Sequence, residues 1–79
     1  MPETRQNGTA IRTFREIRGM SRDELAQRVD LSYPYLANLE LENKNAKPET
    51  VHRIAAALDV PVGAICRRIY AATPEAVSA

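Results

Sequence analysis

Residues able to do chemistry are few and scattered in this sequence. It has one cysteine, Cys66, and one histidine, His52. A single thiol excludes a disulfide framework and a zinc site built on cysteines. Cys66 reads as a small buried filler, with a redox switch as the sharper alternative. No cluster of Cys, His or carboxylates accompanies His52, so it reads as a surface histidine rather than a metal ligand or acid-base group. There is no catalytic triad, no paired-carboxylate site and no phosphate-cradling glycine loop. The expectation is no enzyme, no metal, no cofactor and no small-molecule ligand.

The basic residues point elsewhere. Nine arginines stand against two lysines, Lys44 and Lys47. Arginine suits planar, bidentate contact with phosphate, carboxylate or base edges, although GC-rich coding also favours it. The net charge is only +1 over 79 residues. That excludes a polybasic, histone-like protein and allows one domain without a deep catalytic pocket. With 44 % hydrophobic and 5 % aromatic residues, the core must be mostly Leu, Ile, Val and Ala. No apolar run nears the roughly 18 residues of a membrane span, and residues 1–9 contain no secretory apolar segment. The reading is a cytoplasmic protein in a reducing compartment.

The elements that must position these groups read as helices throughout. Residues 1–7 and 73–79 are polar or small and read as flexible ends of a domain spanning 8–72. The first helix begins near Gly8 or Thr9 and ends at Arg18, with Ile11, Phe14 and Ile17 as its apolar positions and Gly19 as its stop. Ser21 to Glu24 forms a capping box that opens a second helix with Leu25, Ala26 and Val29 buried. Ser32 caps a third, Tyr33 to about Leu41, with Pro34 in its first turn and Leu36 and Leu39 inward. Residues 42–47 read as a loop. Pro48 opens a fourth helix carrying the stripe Val51, Ile54, Ala55 and Leu58, which Asp59, Val60 and Pro61 break. A fifth short helix is expected over about 62–70, with Ile65 and Ile69 on its apolar face. The fold class is therefore all-α, a bundle of five short helices.

Residues 22–41 form one unit, two short helices joined by a tight turn. Ala26 is small where the third helix must cross the second closely. This is a helix-turn-helix arrangement, whose second helix lies in the DNA major groove. The segments IRTFREIRGMSRDELAQRV, LSYPYLANLE and KPETVHRIAAALDV resemble the Cro/CI-type (Xre) helix-turn-helix family of phage and bacterial repressors. The resemblance covers residues 11–65 and implies a lambda-repressor-like domain.

The resemblance also implies residue roles. Arg15 pairs with Glu40, tying the first helix to the third. Tyr33, Pro34, Ala37 and Asn38 face the groove, and the Asn38 carboxamide can bond adenine bidentately. Arg22, Ser32, Lys44 and Lys47 hold phosphates, while Tyr35 packs partly into the core. Asp30 and Asp59 stand where the family commonly has Gly, and Asp tolerates the left-handed backbone. Leu41 and Glu42 replace a polar-Gly pair, and Glu42 beside a phosphate would repel it. Arg5 could enter a minor groove as part of an arm. Arg67 and Arg68 read as a solvated helix end or as contacts to phosphate or a partner.

The expected function is sequence-specific binding of double-stranded DNA by a small Cro-like repressor that occludes a promoter. The alternative is a protein-interaction module on the same scaffold, antitoxin- or anti-regulator-like, with weak or no DNA binding. One domain covers one half-site, so a homodimer on a palindrome is expected, with half-sites about 34 Å apart. Val62, Ile65, Ile69 and Tyr70 are the candidate dimer interface.

Overall fold

Four capped helices account for most of the chain between residues 8 and 58. The computed structural model describes residues 3–69. Its elements are β1 (Glu3–Gln6), α1 (Gly8–Ile17), α2 (Arg22–Arg28), α3 (Tyr33–Glu40), α4 (Pro48–Leu58), one 3-10 turn (Val62–Ile65) and β2 (Cys66–Ile69). Each start has a local cause. Asn7 Oδ1 accepts the Ala10 N–H at 3.1 Å, Ser21 Oγ accepts that of Glu24 at 3.1 Å, and Ser32 Oγ accepts that of Tyr35 at 3.2 Å. Pro48 occupies the first turn of α4, where a missing N–H costs nothing. The capping box forms by half, because the Glu24 carboxylate accepts instead from Arg28, at 3.0 Å.

All four helices stop in the same way. Gly19, Asp30, Glu42 and Asp59 each take a positive φ, between 58° and 71°. In each case the next residue's N–H reaches back five positions: Met20 to Arg15, Leu31 to Ala26, Asn43 to Asn38 and Val60 to Ala55. These are Schellman closures. Asp30 and Asp59 thus do the work of glycine as expected, and Glu42 does the same work as the residue that replaces the Gly of the polar-Gly pair. Two of these ends are also capped from afar. Arg18 Nε donates to Leu58 O at 2.8 Å, and Arg53 Nη1 to Val29 O at 3.1 Å.

The core contains Ile11, Leu25, Leu36, Leu39, Ile54, Leu58 and Ile65, all fully buried, with Ala26, Val29, Val51 and Ala55 around them. Phe14 and Tyr35 pack partly against it. Ile17 does not join it and is 64 % exposed. Ile11 and Arg15 set the inward face of α1, and at 100° per residue Ile17 lies roughly 120° away from Ile11.

The chain ends depart most from expectation. Residues 3–6 are a strand, not a free arm, and pair antiparallel with β2 in the register Glu3↔Ile69, Thr4↔Arg68, Arg5↔Arg67 and Gln6↔Cys66. The Asn7 N–H extends the ladder to Ile65 O at 2.7 Å. The expected fifth helix is a single 3-10 turn followed by this strand. Ile65 and Ile69 are four apart, as on a helix face, but Ile65 closes the core and Ile69 already lies in the ribbon. Among the described residues, the bundle therefore has four α-helices and a two-stranded ribbon. The expected tail, 73–79, lies outside the described residues. No helix among the described residues is long and apolar enough to cross a membrane.

Candidate nucleic-acid interface

The site is built on α2, its turn and α3, and α1 locks that unit from behind. Gly8 is the contact point. A Cβ there would stand 2.1 Å from Glu40 O and 2.7 Å from Leu39 O. Only glycine lets the start of α1 touch the end of α3. The Gly8 requirement was invisible in the sequence, because the obstructing atoms lie 31 and 32 positions away.

Glu40 sits at the centre of the polar network, its side chain 1 % exposed. Arg15 grips it from α1, with Nε to Oε2 at 2.8 Å and Nη2 to Oε1 at 3.3 Å. Arg15 Nη1 also donates to Met20 O at 2.9 Å. The expected ion pair is therefore present and bidentate. A second cation joins it, since Arg22 Nε donates to Glu40 Oε1 at 3.1 Å. Two guanidinium groups share one carboxylate, so one positive charge is left over. It is carried at the more exposed partner, Arg22, at the start of α2. Arg22 Nη1 also donates to Tyr33 Oη at 3.2 Å, and its guanidinium carbon lies 5.5 Å from the ring centroid. The structure thus brings Arg22 and Tyr33 together across the turn.

Tyr33, Pro34, Ala37 and Asn38 fall on one face of α3, at spacings of one and four. Leu36, Leu39 and Glu40 take the buried face. Tyr33 is 45 % exposed, Pro34 is exposed, and Ala37 and Asn38 are half-buried. Asn43 Nδ2 donates to Asn38 Oδ1 at 3.3 Å. Ser32 Oγ serves the cap of α3 and keeps its own hydroxyl proton for a further partner. Lys44 and Lys47 are exposed in the α3–α4 loop, with Lys47 directly before α4. Arg12, which the sequence reading passed over, borders a surface cleft of about 340 Å³ together with Thr9, Arg22, Glu40, Leu41 and Glu42.

Glu42 does not stand free to repel a phosphate. Its Oε2 accepts from the Gly8 N–H at 2.8 Å and from Arg67 Nη2 at 2.5 Å. Arg5 is no groove-seeking arm either, because its Nη2 donates to Glu42 O at 2.6 Å. Of the candidate dimer residues, Ile65 is spent in the core and Val62 packs partly against it. Ile69 ends β2, and Tyr70 lies outside the described residues. Cys66 is half-buried, and burial pushes its thiol pKa up. That lowers the thiolate fraction and argues for the filler reading.

Fold and site together define a DNA-binding transcriptional regulator. A family model described as helix-turn-helix matches residues 11–65, and the chain belongs to that family. It is similar to SinR of Bacillus subtilis, described as the master regulator for biofilm formation and solved in complex with DNA. That likeness is 30 % identity and a TM-score of 0.67, over 71 % of this chain and 90 % of that one. The clp gene regulator ClgR from Corynebacterium glutamicum is 34 % identical with a TM-score of 0.69, over 71 % of this chain and 60 % of that one. The restriction-modification controller C.AhdI from Aeromonas hydrophila is 26 % identical with a TM-score of 0.70, over 72 % of this chain and 86 % of that one. No curated protein sequence matches the chain.

Proposed function

We propose that the protein is a cytoplasmic repressor that seats α3 in the major groove of a short operator and so occludes a promoter. One observation carries this reading. The Arg15–Arg22–Glu40 cluster holds two cations on one carboxylate, and Arg22, its more exposed cation, stands beside Tyr33 on the solvent-facing side of α3. In this reading Arg22, Ser32, Lys44 and Lys47 take phosphates and fix the register of the protein on the duplex. Tyr33, Pro34, Ala37 and Asn38 meet the base edges. A carboxamide oxygen has two lone pairs, so Asn38 can keep Asn43 and still bond adenine bidentately. With a net charge of only +1, nonspecific affinity stays modest and the clustering of charge matters more than its total. Two copies bind a palindrome, each domain reading one half-site.

Titration of isotope-labelled protein with mixed-sequence duplex tests the placement. The expected amide shifts fall at Arg22, at residues 32–38 and at residues 43–47. Shifts confined to residues 62–69, with α3 unmoved, would contradict it.

A further inference from the structure

The α3–α4 loop holds both lysines of the proposed interface, yet it makes few bonds of its own. Its first two residues close α3, Glu42 N–H to Leu39 O and Asn43 N–H to Asn38 O. Beyond them, among the described residues, the backbone of Lys44 and Ala46 is bonded by one side chain, that of Gln6. The Gln6 Nε2 donates to Lys44 O at 2.6 Å and to Leu39 O at 3.3 Å. Its Oε1 accepts the Ala46 N–H at 3.0 Å. The residue is 0 % exposed, so its two amide protons and its oxygen are all used within the protein. β1 thus reaches across to the end of α3 and to both sides of Asn45.

We infer that Gln6 is a positioning residue for DNA binding: its carboxamide presets the loop that carries Lys44 and Lys47. The inference rests on the DNA-binding reading above. An ordered loop presents both ammonium groups to the duplex without first losing backbone freedom. A loose loop must be ordered at the moment of binding or forgo its phosphate contacts, and either weakens affinity. No apolar side chain could do this, because Lys44 O and the Ala46 N–H would lose their partner in a part-buried place.

The test compares wild type with Gln6→Met, which keeps the volume and removes the bonds. Gln6→Asn, one methylene shorter, is the gentler variant should Gln6→Met fail to fold. Two readouts are needed. Hydrogen exchange of the free protein is expected to accelerate at the Ala46 amide in the variants while α2 stays protected. Binding to a mixed-sequence duplex is expected to weaken about tenfold, and the slope of log K against log salt to shrink by about one to two, since each lost phosphate contact removes roughly 0.9. A purely structural role would lower the melting temperature and leave that slope unchanged. Wild-type binding with an unaltered slope in the folded variants would overturn this inference alone. Absence of wild-type binding would overturn the DNA-binding reading and this inference with it.

Discussion

Asn38 carries the sharpest expectation for base recognition. Asn38→Ala should lose about 1–3 kcal/mol at one operator position and little on nonspecific duplex. An equal loss on every sequence, measured by competition binding, would remove Asn38 from the reading set. Gly8 makes a prediction about stability instead. Gly8→Ala forces a Cβ against the Glu40 and Leu39 carbonyl oxygens, and chemical denaturation should show a loss of about 1–3 kcal/mol as α1 is pushed off α3. The two residues also differ in how they could be read. The role of Asn38 was implied by the family resemblance over α3. The constraint on Gly8 comes from atoms 31 and 32 positions downstream, and a single sequence carries no local mark of it. The Arg15–Glu40 pair was placed by the resemblance, but Arg22 as a second cation on the same carboxylate was not, since it was assigned to phosphate alone.

At the scale of elements, the helices were legible and the ribbon was not. Each helix carries its own stripe and cap within about ten residues, and these are local signals. The ribbon has none. Its β1 half reads Glu-Thr-Arg-Gln, with no apolar alternation, and its partner lies some 60 positions away. The ribbon also places Arg5 directly opposite Arg67, an unfavourable pairing of like charges. Glu42 answers both, accepting Arg5 on its carbonyl and Arg67 on its carboxylate. Glu42→Asn keeps a residue that tolerates the left-handed backbone and removes the charge. Because the Arg67–Glu42 pair is partly exposed, the expected loss is about 1 kcal/mol. Hydrogen exchange should locate it in β1 and β2. Unchanged protection there would show that Glu42 does not hold the ribbon.

The helical domain is small, and its stability leans on the buried charge cluster around Glu40. Domains are stable by about 5–15 kcal/mol in total. Glu40→Ala would strand Arg15 against α3 and should cost about 3–5 kcal/mol, a large share of that total, read as a strongly lowered melting temperature by calorimetry or circular dichroism. A near-wild-type melting curve would mean that the two arginines find water easily and that the cluster is not a keystone. The same cluster leaves a positive charge at Arg22 in front of α3, so stability and recognition meet at one carboxylate.

Binding selection on random duplex DNA at low and high salt tests the central claim most directly. Enrichment of one motif, with affinity falling steeply as salt rises, is the predicted result, and a palindromic motif is predicted for a dimer. Folded protein that enriches no sequence even at low salt would contradict it.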